Sequence, residues 1–355
     1  MEEKIEMIGI KAVKIILCFA VFLLIVTALF NYFSYSLVKE RLMESYAELR
    51  ENEIKELSFS ISQAIDEPIL AMSRRGMVYD IDKCDKELNL SLRTLKYGMN
   101  GVVDDVIYIN EKGMAEVVIP YSENKLDLNY SNEPFFMELK NGEIRFIRDY
   151  VNNGSIKLII AVPVLLAKEC NPNGSNFKGV IVSTLDMSNI FDLVLGHFNS
   201  EKTPDYVAVL NSEGNILYHI NNDYIGKSYS EVVDKAVYPA AWDVINKSLE
   251  GGEGYGVYAF YSHKKGIYEQ QQNVTKIMAY GPMSIKDLRW TMQIILPLNE
   301  LVDYSGVSYI LYLTLFNLFI VLIIIISFVI LLTTGLSHYK RHYKIDYAGH
   351  QRKRR

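Results

Sequence analysis

VVDDVIYINEKGMAEVVI (102–119) sets two runs of β-branched and apolar residues on either side of Asn110-Glu111-Lys112-Gly113. Such runs, parted by a short polar turn with glycine, predict strand, tight turn at Lys112-Gly113, strand. Three further strand-like runs follow: GEIRFIRDYV (142–151), IKLIIAVPVL (156–165) and FKGVIVSTLDM (177–187). Between them, NYSNEPFFMELKNG (129–142) reads as a short helix stopped by glycine. Five strands with one or two short helices predict an antiparallel sheet with its helices grouped to one side, an α+β module.

The same order recurs downstream. DYVAVLNSEGNILYHI (205–220) is strand, turn at Glu213-Gly214, strand; YIGKSYSEVV (224–233) follows. YGVYAFYSH (255–263), TKIMAYGPM (275–283) and RWTMQIILP (289–297) supply three more strands. This is an internal repeat of structure rather than of sequence identity. A helical stretch over 187–197 joins the halves. Upstream, 35–75 predicts one long helix, with apolar residues at Leu42, Tyr46, Leu49, Ile54, Leu57, Ile61, Ile65, Ile69 and Met72 and a charged opposite face. Pro68 predicts a kink or boundary there. The apolar stripe must pack on its own domain, on a second copy, or on both, so a homodimer is expected.

Two apolar runs bracket these elements. The first begins at Ile15 and meets no charge until Lys39; the second covers 307–336. Each is long enough for a helix across a bilayer core, where a charge would cost several kcal/mol. Phe30, Tyr32 and Phe33 stand where a signal-peptide cleavage site would need small residues. Lys340, Arg341, Lys344, Arg352, Lys353, Arg354 and Arg355, against Asp346 alone, predict a cytoplasmic C-terminus, and with two spans a cytoplasmic N-terminus near Lys4, Lys11 and Lys14. The expected order is N-terminus 1–14, span 15–34, long helix 35–75, first lobe 76–190, second lobe 191–303, span 307–336 and basic tail 337–355, in a bacterial plasma membrane with the lobes outside.

The net charge of −5 implies no charged partner, and the basic tail suits anionic membrane lipid rather than nucleic acid. Nothing predicts catalysis: there is no Gly-Lys-Ser/Thr phosphate loop, no His-Glu-x-x-His and no Gly-x-Ser-x-Gly. GGEGYG (251–256) follows the helix-like AAWDVINKSLE (240–250) and reads as a helix stop. No Cys/His cluster has zinc spacing, so no metal or cofactor is expected. Of the three cysteines, Cys18 lies in the first span. Cys84 and Cys170 lie outside, where they form either a bridge or two thiols.

In combination, VIYINEKGMAEVV, SNEPFFMELKNG, IAVPVL and KGVIVSTLDM, then AVLNSEGNILYHINNDYIGKS, AYGPM and RWTMQIILP, resemble the double Cache extracellular sensor of bacterial receptors, over about 38–301. The resemblance implies two tandem PAS-like lobes, the first membrane-distal, with ligand held in it between its helices and its sheet. Amino-acid-binding members carry Arg-x-Trp-Tyr on the pocket helix; here the run is Glu133, Pro134, Phe135, Phe136. An acid in place of the arginine favours a cation or hydrogen-bond donor over a ligand carboxylate. Phe135, Phe136, Tyr150 and Tyr121 add cation–π attraction. Asp186 matches the family's aspartate facing a ligand amine, and Asp149 and Tyr150 match the pocket-facing strand.

The implied site is Tyr121, Glu133, Phe135, Phe136, Asp149, Tyr150 and Asp186, for an amine or amino-acid-like ligand. Against this, Glu133 also reads as a helix-start acid, Phe135 and Phe136 as core, and Asp186 as a helix cap. Tyr218, Tyr224 and Trp290 read as packing, and Gly226 as a tight turn.

Asp346, Arg354 and Arg355 resemble the start of a diguanylate cyclase (GGDEF) domain. The expected protein is a sensory receptor whose output lies in a separate cytoplasmic partner. Its rivals are a truncated remnant of a diguanylate cyclase and an ectodomain that binds another envelope protein.

Overall fold

The structure is a computed structural model that describes residues 2–76, 84–98, 101–152, 154–165, 176–199, 203–261, 273–285, 288–304, 312, 314–327, 329–330, 333–335 and 337. The chain forms two compact units, one of residues 46–298 and one of 1–45 with 299–355.

A single helix, α1 (Glu2–Gly76), runs through the expected first span and the expected long helix. No boundary falls at Pro68. The missing amide bond there is outweighed by flanking burial, since Ile65, Ile69 and Met72 are all in the core. Ile54 and Ile61 continue that buried stripe. Leu49, which the helical period places beside it, is 62% exposed. A second helix, α2 (Cys84–Gly98), lies in a stretch with no strand or hairpin signal, and it buries Leu92 and Leu95.

The first sheet comprises β1 (Val103–Asn110), β2 (Ala115–Ile119), β3 (Phe146–Asn152), β4 (Ser155–Leu165) and β5 (Phe177–Asp186), in the order β2-β1-β5-β4-β3. The turn between β1 and β2 is closed by the Gly113 amide on the Asn110 carbonyl at 2.9 Å, with Gly113 at φ 88. α3 (Pro134–Lys140) and α4 (Met187–Leu195) complete this lobe.

The second sheet comprises β6 (Tyr206–Asn211), β7 (Ile216–Tyr218), β8 (Gly254–Tyr261), β9 (Asn273–Ile285) and β10 (Leu288–Pro297). Its order is β7-β6-β10-β9-β8, which reproduces the first sheet strand for strand. α5 (Tyr229–Val232) and α6 (Pro239–Leu249) belong to it, and α7 (Leu298–Tyr304) follows.

Each sheet is covered on both faces. Ile61, Leu158, Leu185, Val207 and Met292 share one core, so α1 lies against one face of both sheets. On the other face, α3 packs Phe136 and Leu139 with Val180 and Val182 of β5. In the second lobe, α6 packs Ala241 and Ile245 with Met278 and Ile295.

The lobes also meet directly. Asn211 Nδ2 donates to Asp149 Oδ2 at 2.9 Å. A Cβ on Gly226, at φ 85, would come within 2.7 Å of Val151.

α1 is long and apolar enough, by length and composition, to cross a membrane. A shorter apolar helix, α8 (Thr314–Ser327), lies in the expected second span. Much of that run, all of the tail after Ser337, and Cys170, on which the choice between a bridge and two thiols turns, lie outside the described residues.

Candidate functional site

The face of the first sheet that carries α3 holds the candidate site. β1 shifts register between Val103 and Asp105, and Asp105 then pairs with Thr184 on β5. Asp105 is only 8% exposed. Its Oδ2 is ion-paired to Lys125, from the loop after β2. Its Oδ1 is buried and has no hydrogen-bond partner among the described residues. A buried carboxylate oxygen without a donor is costly, which makes it a seat for an incoming donor.

Two phenols stand by this carboxylate. Burial pushes both Tyr130 and Tyr150 above the usual range, and the Asp105 charge adds to the rise in each. Tyr150 is hydrogen-bonded to Thr184. Burial alone would lower the Lys125 ammonium, but its hydrogen bond and charge pairing with Asp105 hold it above the ordinary value.

One residue row further along the strands, Tyr150, Lys157 and Asp186 face one another across β3, β4 and β5. Lys157 Nζ lies 2.6 Å from Asp104 and 2.8 Å from Asp186. Asp186 also caps α4, its Oδ1 accepting from the Ser188 amide at 3.0 Å. Burial opposes ionisation of Asp186, yet Lys157 and the cap hold its carboxyl below the usual range. Its oxygens are thus occupied by the helix end and the lysine.

The residues expected from sequence divide accordingly. Tyr150 lies beside Asp105, and Glu133 bears electrostatically on Tyr130, which neighbours Asp105. Glu133 is the exposed residue before α3 and makes no side-chain cap. Phe135 and Phe136 are buried in the α3 core, with Phe135 6.1 Å from Tyr130 and Phe136 5.7 Å from Phe177, ring centre to ring centre. Tyr121 is 70% exposed.

Asp149 projects to the opposite face. It pairs across strands with Leu158, which lies in the core beneath α1, and it serves the contact between the lobes through Asn211. Successive strand residues alternate faces, so neighbours Asp149 and Tyr150 cannot line one pocket.

Sequence reasoning missed Asp105, Lys125, Tyr130, Lys157 and Thr184. The signal for Asp105 was an acid pair, Asp104-Asp105, inside an otherwise apolar strand. Burying a charge in a sheet is expensive unless it is matched, so such an acid marks a candidate position. Among the described residues, no group of three or more His, Cys, Asp or Glu is placed to hold a metal.

A long helix carrying two repeated sheets, the first with a half-satisfied buried carboxylate, defines a two-lobed α+β architecture. The chain belongs to the Cache domain family: the double Cache model, described as Cache domain, matches residues 34–303. The ligand-binding domain of the amino-acid chemoreceptor PctB of Pseudomonas aeruginosa PAO1, in complex with L-Arg, is similar with a TM-score of 0.52 at 15% identity, over 75% of this chain and 91% of that one. The ligand-binding domain of Pseudomonas fluorescens chemoreceptor CtaA, in complex with L-serine, is similar with a TM-score of 0.51 at 12% identity, over 72% and 99%. The CtaA domain with L-alanine matches with a TM-score of 0.50 at 12% identity, over 71% and 97%. At these identities the likeness is one of fold. No curated protein sequence matches the chain.

Proposed function

We propose that this chain is a sensory receptor module whose first lobe captures a small molecule bearing an ammonium group, of amino-acid type. The observation that carries this reading is the buried Asp105 Oδ1 with no hydrogen-bond partner among the described residues. A ligand ammonium would donate to it and share or take over the Lys125 pairing; Lys125 would then meet a ligand carboxylate. Tyr130 and Tyr150 supply ring faces and hydroxyls, and Glu133, in place of a basic residue, adds attraction for a cation. The solved domains of like fold are complexes with amino acids, which agrees with this chemistry.

Signalling follows if ligand binds one arrangement of the lobes better than another. α1 shares its core with both sheets, so a shift of either sheet bears on that helix. The receptor we infer sits in a bacterial plasma membrane as a homodimer, with spans at 15–34 and 307–336, both termini cytoplasmic, the lobes outside and the basic tail on anionic lipid. A separate cytoplasmic protein would read its displacement.

The test is a thermal-shift screen of the full chain in detergent against amino acids, amines, carboxylates, purines and sugars. A ligand at about 100 times its Kd adds about 2.7 kcal/mol, a rise of several degrees in Tm for a domain of this size. An amine or amino acid should give that rise, and Asp105→Asn should remove it. No rise with any amine-bearing compound, or a rise untouched by Asp105→Asn, would overturn the proposal.

A further inference from the structure

Lys125 reaches Asp105 from a loop whose backbone is pinned. The loop joins β2 to α3 over 120–133. It is tied back to the β1–β2 hairpin by backbone bonds. The Ala115 amide donates to the Leu128 carbonyl at 3.1 Å, the Asp127 amide to the Ala115 carbonyl at 3.1 Å and the Tyr130 amide to the Gly113 carbonyl at 2.7 Å. Leu126 and Tyr130 pack against the core that holds Phe135 and Phe136. Asp127 stands at φ 60, a left-handed conformation that a non-glycine residue keeps only where its surroundings fix it. The root of Lys125 is therefore held in place.

Its head is freer. The Lys125 side chain is 44% exposed, whereas that of Asp105 is 11% exposed. The stem thus lies toward solvent and only the ammonium dips to the buried carboxylate. Lys125 covers Asp105 from the solvent side. The ammonium can swing on its flexible stem, but it stays in the neighbourhood of Asp105 because its root does.

Asp105 and Lys125 together form a neutral pair. A ligand ammonium at Asp105 Oδ1 would set a second cation beside the first on one buried carboxylate. A simple amine brings nothing to offset that repulsion. A zwitterion does, because its carboxylate gives the Lys125 ammonium a second acceptor and leaves the contact neutral. The neighbouring cations are less suited to this task. Lys157 is held by Asp104 at 2.6 Å and by Asp186 at 2.8 Å. Arg148 shares the face of Tyr150 but is exposed on the edge strand β3. Glu133, whose charge reaches Tyr130, is exposed just before α3.

Resting on the reading that Asp105 seats a ligand ammonium, we infer that Lys125 is the specificity-determining residue of the first lobe: it admits a ligand with a carboxylate beside its ammonium and turns away the matching amine. The two oxygens of one carboxylate are neighbours, so the ligand ammonium and the Lys125 ammonium lie close together. The ligand carboxylate must then stand near its own amine, as in an α-amino acid.

The experiment is calorimetric binding to the full chain in detergent, with matched pairs of probes: serine and ethanolamine, leucine and isoamylamine, phenylalanine and phenethylamine, arginine and agmatine. Within a pair only the carboxylate differs. In the pair that binds best, the wild-type chain should hold the amino acid about tenfold or more tighter than the amine. Lys125→Gln keeps a donor for Asp105 and removes the charge. It should weaken the amino acid and tighten the amine, so that their ratio falls about tenfold or more. Lys125→Arg should keep the wild-type preference, and Asp105→Asn should weaken both members. A ratio unchanged in Lys125→Gln, as if Arg148 held the carboxylate, would overturn the role of Lys125. The ammonium seat would still stand if Asp105→Asn weakened both members. No binding by any pair, or binding indifferent to Asp105→Asn, would overturn the seat and this inference with it.

Discussion

Three carboxylates show how surroundings divide the roles of like residues. Asp186 is held by Lys157 and a helix end, Asp105 has one oxygen in use, and Asp205 is buried against α1 beside Arg50. For Asp205, burial outweighs the attraction of Arg50 and pushes the carboxyl up to about 6. Its folded value thus lies above its unfolded one of 3.8. The folded state binds the proton more tightly, so the associated stability is fully present below pH 3.8 and is lost as pH rises through about 6. Between pH 7 and pH 5, the wild-type chain should gain about 1 kcal/mol relative to Asp205→Asn, seen as converging or crossing Tm values in melts at the two pH values. A pH-independent difference between the two proteins would remove Asp205 as the titrating group. The sequence could not show this, because a carboxylate's burial depends on what folds over it.

At the scale of elements, the strands were legible because their signal is local. Apolar runs parted by glycine or short polar turns recover every strand of both sheets. α2 was not legible, and Pro68 suggested an end that packing overrides. Gly179 depends on its partner strand: at φ 146, a Cβ there would sit 2.1 Å from the Ile109 carbonyl oxygen. That oxygen is backbone in the centre of a sheet and cannot swing aside. Gly179→Ala should cost about 2 kcal/mol or more through strain and separation of β1 from β5, lowering Tm by several degrees. An unchanged Tm would mean that the strands part without loss. Since β1 carries Asp105, this substitution should also weaken any ligand bound there.

For the whole molecule, the question is how one lobe informs the other. The 46–298 unit offers a common core along α1 and a direct contact through Asp149, Asn211, Val151 and Gly226. An amine ligand in the first lobe should therefore slow amide exchange in β6 and β7 of the second. Asn211→Ala should reduce that protection while sparing protection in β1 and β5. Equal protection in both proteins would assign the coupling to α1 alone.

By itself the sequence determined the α+β class, the doubled lobe, the long helix and the apolar runs, because periodicity and turn chemistry act over a few neighbouring residues. It also singled out Tyr150, which the fold brings beside Asp105, and Glu133, whose charge bears on the neighbouring Tyr130. Tertiary structure alone decided that Asp149 faces the other lobe, that Asp186 is engaged by a cap and a lysine, and that Asp105 and Lys276 are charges inside the lobes. Those outcomes depend on strand register and on which helix covers which face. Residues far apart in the chain set both.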